Sequence, residues 1–185
     1  PDLPLALLRA RNDLLEIDTN DLRFSLDETK TFLSKSIGKD FPVTAIANLF
    51  QKTEGWIGGL QLAALSLQKK NADEVQKFVQ MFSGSHRYIS DYLINEVFES
   101  QPEYVQAFLL KTSFLKNLTS SLCDAVMESN NSATILEQLE SENLFLVRLE
   151  QSGTHPWYRY SPLFAESIQF LARQRLDAAS IQTLL

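Results

Sequence analysis

The chain has 185 residues, which is enough for one large domain or two small ones. With 44% hydrophobic and 22% charged residues and a net charge of −6, it has the composition of an ordinary globular protein. Residues 1–24 carry three arginines against five acids, residues 25–85 seven lysines against six acids, and residues 86–185 seven basic against twelve acidic side chains. A nucleic-acid-binding surface needs clustered positive charge, and none of these three segments has such an excess, so the sequence predicts no nucleic-acid-binding surface.

The apolar runs and the cysteine count indicate the compartment. The longest apolar run is far shorter than a membrane span, and no basic-then-apolar leader opens the chain. The one cysteine, Cys123, excludes an internal disulfide bond and fits a reducing environment. We therefore expect a cytoplasmic protein with no membrane partner.

The first 24 residues contain one candidate strand, the run LLEI at residues 14–17. A lone strand is not stable, and nothing before residue 145 predicts a second one. We therefore interpret residues 1–24 as the end of a larger preceding domain, whose sheet would supply the neighbouring strands.

Four helices are predicted next, over residues 25–38, 43–52, 53–67 and 75–82. Ser25 followed three residues later by Glu28 has the form of a capping box, and Gly38 is typical of a helix end. The last helix has apolar residues at the i, i+3, i+4, i+7 spacing of an amphipathic helix: Val75, Phe78, Val79 and Phe82. We expect residues 25–85 to form a four-helix domain.

The central helix, TEGWIGGLQLAALSL over residues 53–67, is apolar almost all round, which predicts burial on every side. Trp56 is expected on its main apolar stripe. Gly55, Gly58 and Gly59 crowd its first two turns, although each glycine costs roughly 1 kcal/mol relative to alanine in a helix. Such a cluster indicates that another backbone or a ligand comes close, and a tight helix–helix crossing is the simpler of these interpretations.

Residues 86–176 are predicted as a winged-helix domain with one β-hairpin, so that the whole chain is mainly α. The expected elements are a helix from His86, a helix from Pro102, short helices over 120–128 and 133–142, a strand with Phe145, Val147 and Leu149, a turn over 151–154, a strand over 157–160, and a last helix after Ser161-Pro162. Residues 177–185 are a tail or the start of a further helical region.

A winged helix suggests DNA binding, so the recognition element must be tested. In a helix-turn-helix the second helix of the pair enters the major groove. Here that helix, residues 133–142, carries Glu137, Glu140 and Glu142 and no lysine or arginine, and its acids are most simply a solvated face. We expect this winged helix not to read DNA.

No combination of residues predicts catalysis. A G-x-x-x-x-G-K-[ST] phosphate loop is absent, and His86 and His155 have no cysteine or acid at metal-ligand spacing. Cys123 lies on the apolar side of a short helix, which favours a buried structural thiol over a nucleophile. The chain is expected to be neither an enzyme nor a metal protein.

Several stretches in the correct order resemble one family. TEGWIGGLQLAALSL, FSGSHRYISDYLINEVFESQPEYVQAFLLKTSFL, SENLFLVRLE and WYRYSPLFAES are similar to the MalT-like, LuxR-family transcriptional activators, which are STAND-class signalling ATPases. LPLALLRARNDLLEI and DLRFSLDE resemble the end of that family's nucleotide-binding domain, to which residues 1–24 would belong. The resemblance covers about residues 3–172.

The resemblance implies a regulatory switch that couples the nucleotide and inducer state of an ATPase domain to self-association and to activation of transcription. Its partners would be its own nucleotide-binding and sensor domains and further copies of itself, with DNA bound only through a separate domain. ATP or ADP would be the cofactor of the longer protein and not of this chain.

The same resemblance implies that three residues lie near the nucleotide in the longer protein. Gly59 and Gln61 lie where the wider class has Gly-Leu-Pro-Leu, with Gln61 in place of the proline that packs near adenine. Ser161 stands where the family usually has a histidine that senses the phosphates. Ser161 is also a good N-cap residue before Pro162. The alternative function is a stand-alone helical interaction domain that binds no nucleotide.

Overall fold

The computed structural model describes residues 3–18, 21–38, 41–68, 70–149, 156–177 and 181. The helices are α1 Leu5–Ala10, α2 Leu26–Ile37, α3 Val43–Thr53, α4 Ile57–Leu67, α5 Ala72–Met81, α6 Arg87–Tyr92 with a π-helical continuation Leu93–Phe98, α7 Glu103–Thr112, α8 Ser120–Met127, α9 Ser132–Ser141 and α10 Pro162–Arg175. The strands are β1 Leu146–Leu149 and β2 Trp157–Tyr160. The predicted fold class, mainly α with one hairpin, is confirmed. No helix in the described ranges combines the length and apolarity that a membrane crossing requires.

The N-terminal segment differs from its prediction. Residues 14–17 form no strand, and the unpredicted α1 precedes them. The segment folds back on α1 through two hydrogen bonds between the side chains of Arg9 and Glu16, each 2.6 Å long. Within the described ranges no strand pairs with residues 14–17, so their backbone lacks the partner that a strand needs.

In residues 25–85, here called the helical unit, capping residues and a glycine fix where helices begin and end. The capping box at Ser25 is complete, because Ser25 accepts from the N–H of Glu28 and its own N–H donates to the Glu28 carboxylate. Gly38 ends α2 with a left-handed φ of 70°. A second capping box, unpredicted, joins Asn71 and Glu74 at the start of α5.

The central helix is shorter and less buried than predicted. α3 ends at Thr53, and the next two residues, Glu54 and Gly55, have left-handed φ values of 50° and 74° that interrupt the helix. α4 begins only at Ile57, so that Trp56 precedes it. One face of α4 is fully buried, through Leu60, Ala63, Ala64 and Leu67. Its opposite face is exposed at Ile57 and Leu65, so the prediction that the helix is buried on every side was wrong.

The three glycines at the start of the central helix make room for different neighbouring groups. A Cβ on Gly55 would lie 2.9 Å from the backbone nitrogen of Phe24 and closer still to its carbonyl oxygen. Another backbone therefore approaches Gly55, and the N–H of Phe24 donates to the Gly55 carbonyl at 2.9 Å. At Gly58 and Gly59 a Cβ would instead meet the indole of Trp56. These two glycines make room for a neighbouring side chain, so the predicted helix–helix crossing does not explain them.

In residues 86–176, here called the winged-helix unit, α9 packs against β1, and α7 packs against both α8 and α10. β1 and β2 are antiparallel, with Val147 opposite Arg159 and Leu149 opposite Trp157. The expected inward residues of α7 and α10 are buried: Val105, Phe108, Leu109, Thr112, Phe164, Ile168 and Leu171. The turn predicted over residues 151–154 lies outside the described residues, as does His155.

Candidate functional site: a cavity between the two units

A cavity of about 510 Å³ opens where the N-terminal segment, the helical unit and the winged-helix unit meet. Its walls are both apolar and charged. The lining residues are Asp18, Leu22, Arg23, Lys52, Thr53, Trp56, Ile57, Glu140, Asn143, Phe145, Leu146, Val147, Arg148, Ser161 and Leu163. The volume lies within the range of pockets that hold small ligands.

The aromatic wall of the cavity consists of Trp56 and Phe145, and it depends on an unusual backbone conformation at Phe145. Its φ of 53° is left-handed, which is uncommon for a bulky residue, and it places Phe145 before β1 and not in the strand as predicted. The ring meets Trp56 edge-on at 5.1 Å between centroids and stacks on Phe164 at 5.2 Å. The Phe145 carbonyl also accepts from the N–H of Ser161 at 2.8 Å. Phe145 therefore joins the cavity wall to the start of α10.

Glu54 lies beside the cavity and binds arginines from two other segments. Its carboxylate contacts Arg159 of β2 at 2.6 Å and Arg23 of the N-terminal segment at 3.1 Å. Arg23 also donates to the Glu54 carbonyl at 3.0 Å. The Nε of Arg23 is buried without a hydrogen-bond partner. The three segments around the cavity are thus connected through one carboxylate.

A second ion pair in the cavity wall joins Glu140 on α9 to Arg148 on β1. Glu140 accepts from the hydroxyl of Tyr158 at 2.7 Å and from Arg148 at 3.4 Å. Burial, followed by the hydrogen bond to Glu140, raises the pKa of Tyr158 to about 12. Glu140 is therefore not part of a simple solvated face as predicted, whereas Glu137 and Glu142 are exposed.

Lys52 contributes a cation that binds carbonyl groups. Its ammonium donates to the carbonyl of Phe82, just after α5, and to that of Gln80 at 3.4 Å. A cation at this place satisfies carbonyls that a helix end leaves without partners. Lys52 therefore ties the end of α3, at the cavity wall, to the end of α5.

Of the three predicted site residues, Ser161 alone lines the cavity. It occupies the N-cap position of α10, but its side chain makes no capping hydrogen bond, contrary to the prediction. Gly59 is buried beneath Trp56, and Gln61 is exposed on α4. The nucleotide-proximal role of all three stays a prediction. Sequence reasoning missed Arg23, Glu54 and Arg159, because ion pairs between distant segments leave no local pattern.

Cys123 is fully buried as predicted, and burial together with the charge of Asp124 raises its pKa to about 12. Across the described residues no three histidine, cysteine, aspartate or glutamate side chains are grouped so that they could hold a metal ion.

The fold and the cavity together define the class of this chain: a helical unit joined to a winged helix, with the cavity at their junction. Residues 94–180 match the family model of the MalT winged helix domain. The chain is MalT-like and contains a MalT winged helix domain.

Several curated relatives show the same likeness. The chain is 34% identical over 170 residues to the HTH-type transcriptional regulator MalT of Klebsiella pneumoniae subsp. pneumoniae, covering 91% of this chain and 18% of that protein. It is 33% identical over 165 residues to MalT of Serratia proteamaculans and 32% identical over 166 residues to MalT of Yersinia pestis, in each case covering 89% of this chain and 18% of the relative. The chain therefore spans about a fifth of the length of these relatives.

Proposed function

We propose that this chain is a regulatory switch module of a STAND-type transcriptional activator. In this role it couples the nucleotide and inducer state of an ATPase domain to self-association and activation of transcription, and it is not itself catalytic. The likeness to proteins named transcriptional regulators supports this proposal. The single observation that carries it is the cavity between the two units, where Ser161 lies.

The chemistry of the cavity suits a surface that covers a nucleotide held by another domain. Trp56 and Phe145 offer apolar area to a planar group. Lys52 and Arg148 offer positive charge to an anion, and Ser161 offers a hydroxyl group. ATP or ADP would be bound mainly by the upstream domain, and this chain would contact it only from one side.

The N-terminal segment supports an upstream partner. Six of its large apolar side chains are exposed to solvent: Leu3, Leu5, Leu7, Leu15, Ile17 and Leu22. An exposed apolar patch of this kind is typical of an interaction site. We propose that residues 1–24 end a nucleotide-binding domain whose body covers these side chains. A sensor domain, further copies of the protein and a separate DNA-binding domain complete the proposed partners.

The test uses the longer protein that carries this chain with a nucleotide-binding domain. Hydrogen–deuterium exchange with and without ADP is expected to slow at residues 52–57 and 145–148 when ADP is bound. Ser161→Ala is expected to change the affinity for ADP severalfold, whereas Ser121→Ala, an exposed serine on α8, leaves it unchanged. Tight ADP binding with no change in exchange at either segment would contradict the proposal.

A second candidate is a stand-alone helical interaction domain that never contacts nucleotide. The position of Gln61 favours it, because this predicted nucleotide-proximal residue is exposed on α4 and is not part of the cavity wall. The same exchange experiment separates the two candidates. The interaction-domain candidate requires that no adenine nucleotide change the hydrogen–deuterium exchange of residues 52–57 or of residues 145–148.

A further inference from the structure

The walls of the cavity carry more positive than negative charge. Its lining residues include three cations and two carboxylates: Arg23, Lys52 and Arg148, with Asp18 and Glu140. Beside the cavity, the carboxylate of Glu54 and the guanidinium of Arg159 offset one another. A concave, partly buried surface with a surplus positive charge attracts an anion, because less water is present to screen the charge.

The three cations of the cavity wall differ in their exposure and in their partners. Lys52 already donates to the carbonyl of Phe82. The side chain of Arg148 is 62% exposed and pairs with Glu140. The side chain of Arg23 is only 25% exposed. Because a charge-assisted hydrogen bond is stronger where water is excluded, Arg23 is the cation that would interact most strongly with an anion.

The hydrogen-bond donors of Arg23 are only partly used. Its Nη1 donates to the carbonyl and to the carboxylate of Glu54, at 3.0 and 3.1 Å. Its Nε is buried and has no hydrogen-bond partner, which is unfavourable for a donor. A guanidinium binds a phosphate best through two parallel N–H groups. Since the Nε is enclosed while Glu54 holds the side chain, Arg23 must leave Glu54 before it can offer both donors to a phosphate.

Glu54 can release Arg23 without becoming unpaired. Its carboxylate also contacts Arg159 at 2.6 Å, which is closer than the 3.1 Å contact with Arg23. The side chain of Glu54 is 20% exposed, and a carboxylate buried to this extent needs a partner. Arg159 supplies one, so the exchange of the Glu54 carboxylate for a phosphate leaves no buried charge unpaired.

We infer that Arg23 binds the phosphates of a nucleotide at the cavity, and that Glu54 is its internal counter-ion, which the phosphates displace. In the proposed function, on which this inference rests, an upstream domain holds the nucleotide and this chain covers it. Arg23 contacts the nucleotide directly, whereas Glu54 is a positioning residue that acts through Arg23. Because Arg23 belongs to the N-terminal segment and Glu54 to the helical unit, the exchange releases one attachment between them when nucleotide binds.

The test measures the ADP affinity of the longer protein that carries this chain with a nucleotide-binding domain. Arg23→Gln removes the cation and is expected to weaken ADP binding about tenfold. Glu54→Gln removes the competing negative charge at nearly the same size and is expected to strengthen ADP binding severalfold. Arg87→Gln, which changes an exposed arginine on α6, is the control and leaves the affinity unchanged.

The opposite directions of these two effects separate the proposed role from a structural one. Arg23→Gln and Glu54→Gln break the same ion pair, so a purely structural pair would change the ADP affinity in the same direction in both variants. Such a result, or an unchanged affinity in either variant, would overturn the inference.

A third variant keeps the test decisive if Glu54→Gln does not fold. Arg23→Lys keeps the charge but loses the two parallel donors, so its ADP affinity is expected to lie between those of the wild type and Arg23→Gln. Equal affinities of Arg23→Lys and Arg23→Gln would show that the charge at position 23 plays no part in binding, and would contradict the assignment.

The hydrogen–deuterium exchange of residues 52–57 and 145–148 distinguishes a failure of this inference from a failure of the proposed function. If ADP slows exchange at these segments but Arg23→Gln binds ADP as the wild type does, only the inference about Arg23 fails. If ADP is bound tightly and changes exchange at neither segment, the proposed function fails, and the inference fails with it.

Discussion

The indole of Trp56 lies over the Cα of Gly59, so that a Cβ at position 59 would be 2.7 Å from the indole Cε3. The ring cannot move aside freely, because it packs between Tyr92, at 5.8 Å between centroids, and Phe145, at 5.1 Å. The glycine at the start of α4 and the aromatic wall of the cavity are therefore parts of one arrangement.

Gly59→Ala is expected to destabilise the chain despite improving helix propensity. Alanine gains about 1 kcal/mol in a helix relative to glycine, whereas overpacking a filled site typically costs about 1–3 kcal/mol and here displaces the indole as well. Urea unfolding is expected to show a net loss, with a shift of the Trp56 emission in a Trp157→Phe background. The matched control Gln61→Ala, exposed on the same helix, is expected to change stability by less than about 0.5 kcal/mol. Unchanged emission and unchanged stability in Gly59→Ala would contradict this account of the glycine.

Sequence reasoning succeeded where the signal was local and failed where it depended on distant partners. Ser25 and Glu28 are three residues apart, and their capping box formed as predicted. Residues 14–17 were predicted as a strand from their apolar run, but a strand needs a neighbour that local sequence cannot supply. Trp56 was placed on a helix because its spacing fitted, whereas the left-handed Glu54 and Gly55 end α3 before it.

In the candidate site, too, the sequence predicted one residue and missed an ion pair between distant segments. Ser161 was identified through a family resemblance that covers the motif around it, and it does line the cavity. Glu54 carries no motif, and its partner Arg159 lies 105 residues further along the chain. Only the folded chain brings Arg159 of β2 to Glu54, which follows α3, so the pair could not be predicted from spacing or composition.

Thr112→Val is expected to cost more stability than Tyr160→Phe. The hydroxyl of Thr112 donates to the Phe108 carbonyl at 2.7 Å and shares a 2.8 Å hydrogen bond with the hydroxyl of Tyr160, and both residues are buried. Removing the threonine hydroxyl leaves the tyrosine hydroxyl without this partner, at a cost of about 1–3 kcal/mol, whereas Thr112 keeps Phe108 when the tyrosine hydroxyl is removed. A double-mutant cycle by urea unfolding measures the coupling, expected at about 0.5–3 kcal/mol. Additive effects would show that the two hydroxyls do not interact in solution.

Cys123 is expected to resist thiol reagents in the folded chain. Its side chain is inaccessible, and burial raises its pKa to about 12, so that almost no reactive thiolate exists at pH 8. Modification by a chromogenic disulfide reagent at pH 8 is expected to be slow and to accelerate with added urea. Ser121→Cys supplies an exposed thiol two residues away as the control, and it is expected to react at once. Rapid reaction of Cys123 in native buffer would mean that α8 opens readily.

His86 is expected to make the chain less stable as the pH falls below about 6.5, the usual pKa of the imidazole. Burial, and then the charge of Lys70, lowers the pKa of His86, whose Nδ1 is buried without a hydrogen-bond partner among the rings of Phe78, Phe82 and Tyr88. Because the unfolded chain then binds a proton at a higher pH than the folded chain does, the free energy of unfolding rises with pH across this interval. The stability is fully present above the unfolded pKa and is lost as the pH falls through the folded pKa.

The measurement for His86 is urea unfolding of the wild type and of His86→Gln between pH 7.5 and 5.5. Subtracting the two curves removes the contribution of His155, the only other histidine, since it is present in both proteins. The difference is expected to favour the variant progressively as the pH is lowered, because glutamine cannot bind the proton. Parallel curves over the whole interval would show that His86 titrates alike in the folded and unfolded chains, and that burial and the charge of Lys70 do not disfavour the imidazolium.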